Sequence, residues 1–151
     1  MEKIAIGSDH AGFKLKEFVK ELLLKKGFEV IDVGTYSEER CHYPIYAKKV
    51  ASMVSRGEVP RGILICGSGI GMSIVANKFK GVRAALCHNI YSAKFSRLHN
   101  DSNILCLGGR VTGEDLTREI VEVWLNTPFE GGRHSERLKL IEEIESENFK
   151  G

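Results

Sequence analysis

Residues 66–71, with the sequence CGSGIG, are the part of the chain whose residue types most clearly suit chemistry. Three glycines let the backbone turn tightly and point several N–H groups at one spot, which favours negative charge there. Cys66 directly precedes this loop, and N–H groups near its sulfur would stabilise the thiolate, the form that acts as a base or nucleophile. The loop lacks the lysine of a P-loop and departs from the dinucleotide pattern G-x-G-x-x-G, so neither a nucleotide nor NAD is indicated. By itself, the segment also fits a tight strand–helix connection that follows a buried, inert cysteine.

Three further groups of polar residues could belong to a site, and each has an ordinary structural alternative. Asp9 and His10 directly follow an apolar run, where a titratable pair is unusual unless it lines a cleft, although Asp9 could simply cap a helix. His99 lies at a predicted helix end, where the helix dipole alone favours a histidine. Arg133 and Arg137 are four residues apart and would share one helix face, suited to a phosphate or merely to solvent.

The elements that must position these residues alternate between short apolar runs and amphipathic stretches. The predicted strands are 4–6, 29–33, 62–66, 82–86 and 104–107, and the predicted helices are 15–23, 44–56, 72–78, 92–99, 114–125 and a terminal helix through about residue 148. The third and fifth strands are almost continuously apolar, which is typical of strands covered on both faces of a parallel sheet. The pattern predicts a doubly wound α/β sandwich.

In such sheets, ligands bind at the carboxyl ends of the strands. Asp9 and His10 lie at the predicted end of the first strand, Cys66 and its loop at the end of the third, and Arg110 at the end of the fifth. The terminal helix follows a Gly-Gly pair beyond the last strand, so it need not pack on its own sheet and could reach a neighbouring subunit.

Length and composition indicate one compact domain over residues 1–151. The net charge is +2, and basic residues are interleaved with acidic ones, which argues against a nucleic-acid or membrane partner. The four cysteines are widely spaced and have no zinc-ligand pattern, so we interpret them as thiols. The first residues are too polar for a signal peptide, and we expect a cytoplasmic protein.

Taken together, the segments resemble type B ribose-5-phosphate isomerase, in the family that also contains galactose-6-phosphate isomerase subunits. The resemblance extends over nearly the whole chain. Its motifs are GSDHAGF at 7–13, DVGT at 32–35, YP at 43–44, CGSGIG at 66–71, ANK at 76–78, SRLHND at 96–101 and EGGRH at 130–134.

The resemblance implies a Rossmann-like three-layer sandwich that works as a homodimer or a dimer of dimers, without a cofactor or metal. It implies two catalytic residues, Cys66 as the base and His99 as the group that opens the sugar ring. It also implies a composite site, with Asn100 and the arginines supplied by the partner chain. The implied substrate-binding residues are Asp9, His10, Tyr43, Gly67, Ser68, Gly69, Ile70, Gly71, Asn100, Arg110, Arg133 and Arg137.

One branch of the family uses a glutamate just after the glycine loop as its base, but this chain has Met72 there, so Cys66 is the remaining candidate. We therefore expect interconversion of ribose 5-phosphate and ribulose 5-phosphate in the non-oxidative pentose phosphate pathway. The alternatives are isomerisation of allose 6-phosphate or galactose 6-phosphate, or a non-catalytic sugar-phosphate sensor on the same fold.

Overall fold

The computed structural model describes residues 1–149, whose core is one five-stranded parallel sheet with the strand order β2-β1-β3-β5-β4. The strands are β1 (Lys3–Ser8), β2 (Glu29–Asp32), β3 (Arg61–Cys66), β4 (Ala84–Leu86) and β5 (Ile104–Gly108). Every neighbouring pair is parallel. Two of the three inner strands, β3 and β5, are buried along nearly their whole length, which confirms the interpretation of their apolar runs.

Helices cover both faces of the sheet, which confirms the three-layer sandwich. The helices are α1 (Phe13–Lys25), α2 (Tyr43–Ser55), α3 (Ile70–Ala76), α4 (Ile90–Leu98), α5 (Glu114–Asn126) and α6 (Arg133–Asn148). One buried cluster contains residues of α1, α4 and α5, and a second contains residues of α2 and α3. No helix within residues 1–149 combines the length and apolar character that a membrane span needs.

Most elements differ from the sequence prediction by one or two residues at their ends, and at two of these ends a side chain replaces a backbone partner. Helix α3 ends at Ala76, because the next residue, Asn77, uses its side chain to bond both the N–H and the carbonyl of Ala84 (2.8 and 3.0 Å). Strand β4 starts only at Ala84, because the N–H of Arg83 donates to the Asn103 side chain (2.7 Å) instead of to a neighbouring strand.

The terminal helix α6 lies beside the β4 edge of the sheet and buries little. Among its residues only His134 is buried, while Leu140, Ile141 and Ile144 stay exposed. A groove of about 510 Å3 separates α6 from β4. The position of α6 outside the core agrees with the expectation that it need not pack on its own sheet.

Candidate active site

Cys66 ends β3 at the carboxyl edge of the sheet, where its sulfur faces the glycine loop. The N–H of Gly69 donates to Cys66 Sγ (3.2 Å), and the residue is only 5% exposed. The Cys66 carbonyl is held by the N–H of Gly109 at 2.7 Å, which fixes the strand end. A backbone N–H of the glycine loop therefore points directly at the sulfur of this candidate base.

The glycine loop packs closely against neighbouring segments because two of its positions have no side chain. Gly69 has a φ of 80°, and a Cβ there would lie 2.9 Å from the Leu107 carbonyl carbon. A Cβ on Gly71 would lie 2.5 Å from the Tyr43 ring. Tyr43 therefore packs directly on Gly71, which brings this predicted sugar-binding residue to the loop that follows Cys66.

Asp9 and His10 reach the same edge from β1. The Asp9 N–H donates to the Ile65 carbonyl (3.2 Å), and one carboxylate oxygen of Asp9 accepts the Gly12 N–H at 3.0 Å. The capping role expected as an alternative for Asp9 is therefore real, and it occupies one of two carboxylate oxygens. His10 Nδ1 accepts the N–H of Cys41 at 3.2 Å, which leaves Nε2 to donate to a ligand.

Arg110 reaches this edge from the end of β5. Its backbone N–H donates to the Gly67 carbonyl (3.0 Å), and Nη1 lies 3.5 Å from where a Gly67 Cβ would be. Its guanidinium therefore lies against the loop, where it can bind an anion.

The other predicted residues lie at the opposite, amino edge of the sheet. His99 follows the last turn of α4, a helix that starts after β4 and runs back along the sheet. The segment after it is tied to strand beginnings, since the Asn103 N–H donates to the Arg83 carbonyl (3.0 Å) and the Asn103 carbonyl accepts the Gly62 N–H (2.9 Å).

The start of α6, with Arg133 and Arg137, is joined to the same edge. The N–H of Glu130 donates to the Leu98 carbonyl at 3.0 Å, and the ring of His134 stacks on that of His99 with centroids 4.1 Å apart. The structure thus divides the predicted site residues into two sets, one at each edge.

Comparisons with known proteins agree with this fold. The chain matches the family described as Ribose/Galactose Isomerase over residues 4–141. Ribose-5-phosphate isomerase B of Escherichia coli K12 is 54% identical, covering 96% of this chain and 97% of its own. The chain belongs to the ribose/galactose isomerase family.

Other members of the isomerase family are also similar along nearly their whole length. The structure of Clostridium thermocellum ribose-5-phosphate isomerase B has a TM-score of 0.95 at 53% identity, covering 97% of this chain and 99% of that one. D-erythrulose-4-phosphate isomerase of Pectobacterium atrosepticum is 43% identical, with 93% of each chain covered.

In this isomerase, His99 belongs to a cluster that sequence reasoning missed. His99, Glu130 and His134 each offer a ligand atom, and these atoms lie within 4.8 Å of one another. The cluster was hidden because His99 is far in sequence from the other two. The imidazole planes are only 14° apart, so their in-plane lone pairs cannot converge on one ion at the short Zn–N distance without rotating a ring. As arranged, the cluster stacks two histidines rather than enclosing a metal.

The contact between the two rings also affects the pKa of His134. Burial and the neighbouring His99 lower the pKa of His134, so this ring is neutral at pH 7. The Nε2 of His134 is buried without a hydrogen-bond partner among residues 1–149. His99 Nε2 lies 3.8 Å from a Glu130 carboxylate oxygen, a separation that is longer than a hydrogen bond.

The other cysteines of the isomerase differ in their surroundings. Burial raises the pKa of Cys87 to about 11 and raises that of the fully buried Cys106 further. Both are therefore protonated at neutral pH. Cys41 is half-buried, and its sulfur lies 4.0 Å from His10 Nδ1, a contact that the sequence pattern did not indicate.

A buried ion pair at the end of β2 supports the neighbouring end of β1. Lys16 is fully buried and bonds both carboxylate oxygens of Asp32 (2.7 and 2.8 Å). Burial opposes ionisation of Asp32, but hydrogen bonds from Lys16 and the Gly34 N–H outweigh it and lower the pKa of that carboxyl. The following Thr35 N–H donates to the Ser8 carbonyl (2.8 Å), so the pair supports the residue that precedes Asp9.

Proposed function

We propose that the chain is a ribose-5-phosphate isomerase, one domain that interconverts ribose 5-phosphate and ribulose 5-phosphate through a cis-enediolate in the non-oxidative pentose phosphate pathway. The observation that carries this proposal is the Cys66 sulfur, placed under a loop N–H at the carboxyl edge of the family fold. The names of the relatives in Escherichia coli and Clostridium thermocellum support the five-carbon substrate.

The chemistry requires a base at C2 and donors at the oxygen that becomes negative. The Cys66 thiolate takes the C2 proton, the electron pair forms the C1–C2 double bond, and the C1 oxygen gains the charge. The proton of the C2 hydroxyl then moves to the C1 oxygen, and the same thiol returns its proton to C1 as the C2 carbonyl forms. The backbone N–H groups of residues 67–71 that are not bonded to Cys66 Sγ or Ser68 Oγ stabilise that oxygen, and one such donor typically contributes about 3 kcal/mol.

The remaining residues prepare and hold the substrate. His99 opens the cyclic sugar by proton transfer at the ring oxygen, and Asp9, Tyr43 and Asn100 contact its hydroxyls. The phosphate is held by His10, Arg110, Arg133 and Arg137. Binding energy from this remote group positions the reacting carbons over the base.

The site is composite, formed by two chains of a homodimer. Cys66 and the start of β3 lie about 17 Å apart, since strands rise about 3.3 Å per residue. No side chain at the amino edge, His99 included, can cross that distance to its own Cys66. A two-fold axis that sets the carboxyl edge of one chain against the amino edge of the other completes two equal sites. The exposed apolar residues of α6 then pack on the partner.

The four thiols are free, which suits a reducing cytoplasm, where we place the enzyme. Isomerisation of another sugar phosphate is the second candidate, favoured by the name of the Pectobacterium atrosepticum relative, an isomerase of a four-carbon sugar phosphate.

The deciding experiment is a turnover assay of the purified, chelator-treated protein. We expect the highest kcat/KM with ribose 5-phosphate, compared with allose 6-phosphate, galactose 6-phosphate and erythrulose 4-phosphate, and no loss on chelation. A higher kcat/KM with another sugar phosphate would support the second candidate. Binding without turnover of any of them would indicate a sensor, and activity that returns only with a divalent metal would contradict the thiolate mechanism.

A further inference from the structure

Asp101 follows His99 and Asn100 and has an unusual backbone conformation. Its φ is 46°, and it is the only non-glycine residue with a positive φ in the part of the chain that the structure describes. Its N–H donates to the Arg97 carbonyl at 3.2 Å and thereby closes the end of α4. Glycine adopts this helix-ending conformation at the lowest cost, so an aspartate here calls for a reason that lies in its side chain.

The Asp101 side chain joins two elements that approach this edge separately. One carboxylate oxygen accepts Arg97 Nη1 from α4 at 2.9 Å, and the other accepts Arg83 Nη2, from just before β4, at 3.3 Å. Arg83 Nε also donates to the Asp101 carbonyl at 2.8 Å. Arg97 continues to the Ser102 carbonyl and to that of Thr127. Two guanidinium groups therefore hold both the side chain and the backbone of this residue.

The next residue anchors the segment to the core. Ser102 Oγ is 2.9 Å from Ser96 Oγ and accepts the Trp124 indole N–H at 2.9 Å. All three residues are buried. The turn is therefore fixed on one side by α4 and on the other by the core, with His99 and Asn100 between.

We propose that Asp101 is a positioning residue, whose contacts with Arg83 and Arg97 hold His99 and Asn100 in the geometry that the active site of the partner chain requires. The proposal rests on the function proposed above. Asp101 itself does not touch the substrate. If closing the helix were its only task, glycine would perform it at least as well, so the stability and the activity of a glycine variant separate the two roles.

The test compares Asp101→Gly and Asp101→Asn with the wild type and with a matched control, Asp115→Asn. The control removes the charge of an exposed carboxylate that pairs with Arg118 at 3.3 Å, far from this turn. Asparagine tolerates the left-handed conformation, and its amide oxygen still accepts one arginine N–H. The measurements are kcat and KM for ribose 5-phosphate, the thermal unfolding midpoint, and the mass of the assembly in solution.

For Asp101→Gly we expect kcat to fall at least about tenfold, since displacing a reacting group by an ångström can cost a hundredfold. KM should change less than about threefold, because the phosphate contacts lie on other segments. The unfolding midpoint should change little, because relief of the positive φ offsets the loss of two partly exposed ion pairs. Asp101→Asn should recover part of kcat, and Asp115→Asn should equal the wild type.

Wild-type kcat in Asp101→Gly would overturn the proposal. If Asp101→Gly fails to fold or to associate, and that failure accounts for its loss of activity, the Asp101→Asn variant decides. Full activity in a folded Asp101→Asn would then also overturn the proposal. Reduced kcat in a folded Asp101→Asn would support the proposal even if Asp101→Gly does not fold. Inactivity of the wild-type protein on every sugar phosphate would instead refute the proposed function.

Discussion

The four cysteines show that the role of a residue in this protein depends on its neighbours more than on its type. Cys66 has a backbone donor on its sulfur, while Cys87 and Cys106 are buried among apolar residues that keep them protonated. The sequence singled out Cys66 because glycines follow it. The contact of Cys41 with His10 could not be predicted, because it joins residues 31 positions apart through an irregular loop.

Replacing Cys66 tests its role as the base. Cys66→Ala should lose at least about three orders of magnitude in kcat, which is within the range expected when a general base is removed. Binding of a non-reacting phosphorylated sugar acid, measured by calorimetry, should persist because the phosphate contacts remain. Cys87→Ala is the matched control and should keep wild-type kcat. Near-normal turnover by Cys66→Ala would eliminate this thiol as the base.

The raised pKa of Cys87 predicts how stability depends on pH. The folded protein keeps this thiol protonated up to about pH 11, whereas the unfolded chain loses the proton near pH 9. The unfolded state then binds fewer protons, so the contribution is complete below pH 9 and is lost as pH rises toward 11.

The free energy of unfolding of the wild type should therefore fall by about 2 kcal/mol more than that of Cys87→Ser between pH 8 and pH 10.5. Urea titrations under reducing conditions measure both. Lysines and tyrosines that titrate in the same pH range contribute equally to both proteins, so their effect on the free energy of unfolding cancels in the comparison. A constant difference between the two proteins would show that the Cys87 pKa is not raised.

At the scale of elements, local patterns predicted which segments form strands and helices, and they failed where side chains replace backbone partners. Asn77 ends α3 by bonding to β4, and Arg83 bonds to the Asn103 side chain instead of extending that strand. The position of β5 between β3 and β4 was also beyond local patterns, since strand order depends on contacts between distant residues.

The glycine loop gives a prediction at this scale, with a control elsewhere in the chain. Gly69 and Gly57 have φ values of 80° and 75°, so alanine strains the backbone similarly at both. Around Gly57 a Cβ meets open space, whereas at Gly69 it would lie 2.9 Å from the backbone carbonyl of Leu107, which cannot move aside as a side chain can. Gly69→Ala must therefore move the N–H that faces Cys66.

We expect Gly69→Ala to lose at least about tenfold in kcat/KM, because the displaced N–H no longer supports the Cys66 thiolate, and a general base typically contributes about 10²–10⁴-fold. Gly57→Ala should lose about 1 kcal/mol of stability and no activity. Steady-state kinetics and urea unfolding of both variants measure the two effects. Equal kcat/KM in both variants would mean that the loop geometry does not matter for catalysis.

At the scale of the whole molecule, the sheet separates two sets of functional residues by the length of its strands. Sequence patterns placed Cys66 and Arg110 at the carboxyl edge and placed Arg133 and Arg137 on a helix beyond the last strand. The family resemblance added the composite site. The structure adds that His99 lies with the second set, because α4 returns to the amino edge before β5 begins.

The most direct test of this account mixes two inactive variants. One carries Cys66→Ala, and the other carries Arg133→Ala together with Arg137→Ala. Each homodimer should be nearly inactive, since one lacks the base and the other part of the phosphate site. In a mixed dimer, one site combines both defects, and the other pairs an intact Cys66 with intact arginines from the opposite chain.

Co-refolding equal amounts should restore about a quarter of wild-type turnover, because half of the dimers are mixed under random association and each has one complete site. Mass spectrometry of the intact assemblies verifies the mixed dimers. If verified mixed dimers show no more activity than the parent variants, the base and the arginines act within one chain, and the composite site is wrong.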